Sequence, residues 1–192
     1  MRLKQPHLQN KPGAGPVVDA PRRALLRALL GSSAAALAGM LPQAVQANEL
    51  KLGELAPPLV LHTLDGKKIA TRDLIGDVVI VTFFASYCEP CIEELPLLSS
   101  YAEANAARGL HVLGFSLDGA ELIADVRKVA ATLSFPVGLL GSAYAGGYGR
   151  MWRMPVSFVI DRRGRLAHDG WQDKQPSVTT EYLQRVVEPL LG

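Results

Sequence analysis

The sequence predicts an α/β sandwich: a central sheet flanked by helices and led by an N-terminal β-hairpin. Val78 to Phe84 is an unbroken run rich in β-branched and aromatic side chains. Such a run marks a strand buried on both faces, as in a sheet covered by helices on either side. Segments of helical apolar spacing then alternate with further strand-like runs through residues 88–191. Ahead of them, Asp65-Gly66 follows the short apolar stretch Pro58 to Leu64 and precedes Lys67 to Ala70, a hairpin signal. The chain has 192 residues, 48% hydrophobic and 20% charged, which suits one globular domain with extras.

In chain order, Pro58 to Leu64 and Lys67 to Ala70 form the leading hairpin, with a two-residue turn at Asp65-Gly66. Thr71 is expected to cap a single helical turn through Leu74. After the buried strand a helix runs from about Cys88 to Arg108, placing Ile92, Leu95, Leu98 and Ala102 on one face and ending at Gly109. Pro96 predicts a kink near its second turn. Leu110 to Ser116 is the next strand, Asp118-Gly119 a loop, and Ala120 to Leu133 a helix with Leu122, Val126, Val129 and Leu133 on its stripe. Phe135 to Leu140 adds a short strand, and the glycines of Gly141 to Gly149 weaken any helix there. Val156 to Ile160 and Arg165 to His168 form a hairpin across Asp161–Gly164, and Ser177 to Leu191 closes the chain as an amphipathic helix. No repeat and no second domain is visible.

The first 47 residues read as an export leader. Arg22-Arg23-Ala24-Leu25-Leu26-Arg27 resembles the twin-arginine export motif, and a general secretory signal with adjacent arginines is the plainer reading. The apolar run Ala28 to Leu41 is 14 residues, short of the ~20 a membrane span needs but right for a signal peptide. Small residues at Val45-Gln46-Ala47 offer a cleavage site; an uncleaved membrane tether is the remaining alternative. The whole chain has 20 Lys+Arg against 18 Asp+Glu, a net charge of +2. The leader holds six of the bases (Arg2, Lys4, Lys11, Arg22, Arg23, Arg27) and one acid (Asp19). Residues 48–192 therefore keep 14 bases and 17 acids, a net charge of −3, and a nucleic-acid partner is not expected.

The chemistry lies in the only two cysteines, Cys88-Glu89-Pro90-Cys91, set between the buried strand and a helix. Exposed N–H groups and the dipole at a helix N-terminus favour a thiolate on the first cysteine. The second, one turn on, can displace a mixed disulfide. Pro90 suits the early helix, where its missing N–H costs little. A zinc site would need further Cys or nearby His, and His62, His111 and His168 are scattered. A purely structural disulfide is the plain alternative, but so short a loop adds little stability. The dithiol itself carries the electrons, so no cofactor is called for.

Phe83-Phe84-Ala85-Ser86-Tyr87-Cys88-Glu89-Pro90-Cys91, with Pro96 and Met154-Pro155-Val156-Ser157-Phe158-Val159-Ile160-Asp161-Arg162-Arg163-Gly164, resembles the thioredoxin superfamily. More closely it is similar to the exported TlpA/ResA-like thiol-disulfide oxidoreductases. The resemblance implies a thioredoxin-like sandwich on a central mixed sheet, with Cys88 the attacking nucleophile and Cys91 the resolving thiol. It implies that Pro155 is the cis-proline beside the cysteines, and that Glu94 tunes the thiols or moves protons. An acid simply favoured by the helix dipole is the alternative for Glu94, and for Glu93. Glu89 opposes thiolate formation as a like charge. Tyr87 stands where many relatives have Trp, and Thr82 where thioredoxins carry a buried Asp. Met154 is a bulky neighbour to the presumed cis-proline. Arg150, Trp152 and Arg153 could border the site, a solvated loop with one packed Trp being the plainer reading, and Trp171 reads as structural.

These readings converge on an enzyme, a monomeric periplasmic reductase of protein disulfides. An oxidising compartment implies a membrane-embedded thiol electron donor to re-reduce the dithiol, and the resemblance implies apocytochrome c as one substrate. A net disulfide oxidase, a Cu(I)-delivery module and a peroxidase acting through Cys88 are the competing readings.

Overall fold

The computed structural model describes residues 50–175 and 177–192. The expected leader, its twin-arginine motif, its cleavage site and the boundary at residue 47 lie outside the described residues.

A five-stranded mixed sheet is ordered β5-β4-β3-β6-β7, with β3 (Val78–Phe84) at its centre. β3 runs parallel to β4 (Leu110–Ser116) and antiparallel to β6 (Val156–Ile160). β5 (Val137–Leu139) extends the parallel side and β7 (Leu166–His168) the antiparallel side. Every residue of β3 is buried, as its composition requires of a central strand. Its side chains alternate between two cores. Val78, Ile80 and Phe84 meet Leu95, Leu98 and Ala102 of α1 (Glu89–Asn105), Val126 of α2 (Ile123–Ala130), and the C-terminal helix. Val79, Val81 and Phe83 meet Phe115, Tyr148 and Phe158 in an aromatic core.

Among the described residues, short 3₁₀ turns rather than long helices reach that second core, with Tyr148 of Gly146–Tyr148 and Trp171 of Gly170–Gln172. The hairpin of β1 (Val60–His62) and β2 (Lys68–Ala70) covers it with Leu61, together with coil bearing Ala145 and Met151. The hairpin loop is wider than a two-residue turn: Thr63 N–H donates to Lys67 O at 2.9 Å, and Gly66 takes φ 86°. The left-handed glycine makes this the three-residue form. Leu64 N–H donates to Val137 O at 2.9 Å, and a Cβ at Gly138 would run into His62 O, so the hairpin sits directly on β5. Thr71 does not cap the 3₁₀ turn Thr71–Leu74; its Oγ1 accepts from Leu59 N–H at 3.1 Å.

α1 continues through Pro96 to Asn105, and its buried stripe is Cys91, Glu94, Leu95, Leu98 and Ala102. Ile92 lies outside it, 36% exposed; Cys91, four positions before Leu95, takes the first-turn place on the stripe instead. Of the stripe expected on α2, Val126 alone is fully buried. The C-terminal helix has three successive pieces: α3 (Thr180–Tyr182), a π-helical turn over Leu183–Val187, and α4 (Glu188–Leu191). It starts later than expected because Thr179 caps it, its side chain accepting from Tyr182 N–H. Leu55 bridges to Arg165 and Gly53 N–H donates to Leu166 O at 2.8 Å, closing the β7 edge with a segment that has no strand pattern of its own.

Candidate active site

The site forms where β3 ends. Pairing of Phe83 with Val156 brings Pro155 beside the end of β3, and pairing of Phe84 with Ser116 brings Leu117 and Asp118 to the loop that follows. Strand register alone therefore assembles three separate chain segments around residues 85–91. Cys88 and Cys91 are joined in a disulfide, with Cα atoms 5.2 Å apart. Cys88 is half-buried at the N-cap of α1, and Ile92 N–H donates to its carbonyl at 3.0 Å. Cys91 is fully buried. Of the two sulfurs, Cys88 is thus the one nearer solvent and at the positive end of a 17-residue helix, the setting that lowers a thiol pKa in the reduced state.

The surrounding residues divide sharply. Tyr87 is 67% exposed, and with Ser86, Glu89, Ile92 and Glu93 it lines a shallow concavity beside Cys88. Pro90 occupies the first turn of α1, and is exposed. Across the site the Met154–Pro155 bond is cis, as the family resemblance implied. Pro155 is buried, while Met154 and Cys88 both pack at the margin of the helical core that contains Cys91.

Glu94 lies in that core, buried one turn past Cys91. Its Oε2 accepts from Val178 N–H at 2.6 Å, whereas Oε1 is buried with no partner. Burial pushes the carboxyl up to about 8, against the opposing pull of the Val178 hydrogen bond. A buried acid with one unsatisfied oxygen is suited to hold and release a proton. Thr82 is buried and accepts from Ser157 Oγ at 3.0 Å. It offers no ionisable group to the site.

Two arrangements have no clear signal in the sequence. Asp118 is buried, and its carboxylate accepts from Ser86 N–H (2.8 Å), Ser86 Oγ (2.6 Å) and Ser116 Oγ (2.5 Å). The sequence marks it only as a loop acid. Trp152 is exposed rather than packed, and its ring stacks on Trp171 with centroids 5.4 Å apart. The Arg153 guanidinium lies 5.2 Å and 5.7 Å from the two rings and donates to Asp173 O and Gly170 O. Trp171 is structural as expected, donating to Tyr148 O and meeting Phe158 edge-on. Among the described residues no group of three or more His, Cys, Asp or Glu is placed to hold a metal ion.

Residues 52–169 match the AhpC/TSA family. The chain is 27% identical over 139 residues to the thiol-disulfide oxidoreductase ResA of Bacillus cereus, covering 72% of this chain and 80% of that protein. It is 30% identical over 115 residues to the thioredoxin-like protein YneN of Bacillus subtilis, covering 58% of this chain and 66% of that one. Among solved structures, a thiol:disulfide interchange protein of the thioredoxin family from Chlorobium tepidum superposes with a TM-score of 0.60 at 27% identity. That match covers 75% of this chain and 99% of the other.

Proposed function

Since the chain belongs to the AhpC/TSA family and is a thiol-disulfide oxidoreductase of thioredoxin fold, we propose that it is an exported reductase of protein disulfides. The Cys88 thiolate attacks one sulfur of a substrate disulfide, forming a Cys88–substrate disulfide and expelling the other sulfur as thiolate. Cys91 then attacks Cys88 Sγ, closing the Cys88–Cys91 disulfide and releasing the second substrate thiolate. Two electrons pass from the dithiol to the substrate. Glu94 accepts the Cys91 proton as that sulfur becomes a nucleophile. Tyr87, Glu89, Pro90, Met154 and Pro155 border the substrate segment.

The observation that carries the direction is the acidic setting of the dithiol. Glu89 and Glu93 stand exposed on the first two turns of α1. A strong oxidant of this fold owes its potential to a stabilised reduced form. As like charges beside the C-x-x-C motif, Glu89 and Glu93 work against that stabilisation and favour handing electrons on. The sequence leader supports a periplasmic location, and an oxidising compartment calls for a membrane-embedded thiol donor to restore the dithiol. Apocytochrome c is the substrate the family resemblance brings forward, and the chain acts as a monomer. The reduction potential tests the direction: a value toward the thioredoxin end, about −270 mV, supports the reductase, and one near −120 mV overturns it in favour of an oxidase.

A further inference from the structure

We propose that Asp118 is a positioning residue: a buried carboxylate latch that holds Cys88 at the helix N-terminus while the dithiol is reduced. The inference rests on the reductase reading and extends it to the state in which the enzyme acts.

The loop from Ala85 to Cys88 is short of restraints of its own. Phe84 O accepts from Leu117 N–H at 2.8 Å, and Ala85 O accepts from Cys88 N–H at 3.1 Å. Between these two points, the contacts that fix the chain are those from Ser86 N–H and Ser86 Oγ to Oδ2 and Oδ1 of Asp118. Asp118 is itself locked, for Ser116 Oγ donates to Oδ2 and accepts from Asp118 N–H at 3.1 Å. Such charge-assisted, two-point bonding in a buried setting is stiff and costly to break.

The disulfide also restrains this loop, tying Cys88 to the first turn of α1. Reduction removes that covalent tie. The Asp118–Ser86 pair then remains to keep Cys88 at the N-cap, where the helix dipole favours its thiolate. Loss of the latch therefore costs the reduced form more than the oxidised one. Other charged groups near the site are Glu89, Glu93 and Glu94 on α1, Arg150 and Arg153 before the cis-proline, and Asp173 and Lys174 before the C-terminal helix. None of them hydrogen-bonds the 85–88 loop.

As a plain negative charge, Asp118 would do the opposite of a latch, since a like charge raises the Cys88 pKa and its removal lowers it. The two roles thus have opposite signs. The test uses Asp118→Ala and Ser86→Ala, the second keeping the charge and losing only the hydroxyl bond. Alkylation of the reduced proteins by iodoacetamide is followed against pH, and the redox equilibrium with glutathione is measured. The latch predicts a higher Cys88 pKa in both variants, larger in Asp118→Ala. It also predicts a roughly tenfold shift of the equilibrium toward the disulfide form for Asp118→Ala, about 30 mV for a two-electron couple. A lower pKa in Asp118→Ala with Ser86→Ala unchanged would make Asp118 a charge only. Unchanged profiles with lowered melting temperatures would make it merely structural; either result overturns the latch. Should Asp118→Ala fail to fold, the sign of the Ser86→Ala shift decides. Reduction of insulin disulfides by the unaltered protein reports separately on the reductase reading.

Discussion

The two faces of the central sheet are built from one strand yet do different work. On the helical face, Val78, Ile80 and Phe84 lie under α1, whose buried stripe includes Cys91, Glu94 and Ser99 as well as Leu95 and Leu98. On the other, Phe83, Phe115, Tyr148 and Phe158 form contiguous rings with centroids 4.8 to 6.3 Å apart. Aromatic pairs of this kind contribute packing beyond their buried area. The helical face tolerates a carboxyl and a thiol in its core; the aromatic face supplies stability that does not depend on redox state or protonation. The polar groups that set the chemistry are thus separated, by a single strand, from the packing that holds the strand in place.

The sharpest break of that division is Cys88→Ser, which should abolish disulfide turnover while leaving both cores intact, as read by insulin reduction and far-UV circular dichroism. On the aromatic face, Phe158→Ala should cost about 3–5 kcal/mol in urea unfolding. The pH profile of thiol alkylation should not move with it, and a shift would show that the faces are coupled.

Glu94 sharpens the comparison from the other side. Its folded pKa, raised from 4.5 to about 8 by burial, means the native state keeps a proton that the unfolded chain releases. The stability this contributes is fully present below about 4.5 and is lost as pH rises through about 8, at about 1.4 kcal/mol per pKa unit. Glu94→Gln should therefore flatten the pH dependence of urea unfolding between pH 5 and 8, making the oxidised protein on the order of a few kcal/mol more stable than wild type at pH 9. It should also change the pH dependence of Cys91 alkylation in the reduced protein. A smaller effect is expected of Thr82→Val. Loss of the Ser157 partner should cost about 1 kcal/mol with no change in redox pH dependence, since Thr82 carries no proton for the dithiol.

Much of this division is written in local sequence. The β3 run and the placement of the C-x-x-C motif between strand and helix were legible because each is a pattern carried by contiguous residues; the cis bond at Pro155 was implied by the family resemblance alone. On the helix face Leu95, Leu98 and Ala102 are buried as expected, and Cys91 rather than Ile92 takes the first-turn place. The spacings 91/95/98/102 and 92/95/98/102 are both helical, and packing against the sheet decides between them. The roof over the aromatic core leaves less trace in the sequence. An apolar strand reports that it is covered, and nothing in its sequence says whether helix or hairpin covers it. Asp118 and the Trp152–Arg153–Trp171 stack were illegible because each becomes a constellation only through strand register and loop packing across long separations. Asp118 meets Ser86 across 32 residues. A lone acid before glycine looks like any turn.

The central claim is that the two sulfurs are unequal: Cys88 attacks and Cys91 resolves. Mapping mixed disulfides by mass spectrometry, with reduced Cys91→Ser and Cys88→Ser proteins offered the same peptide disulfide, tests it most directly. A stable adduct on Cys88 in the first variant, with little or none on Cys91 in the second, is the result predicted from their exposure. Equal capture by Cys91 in Cys88→Ser would contradict it.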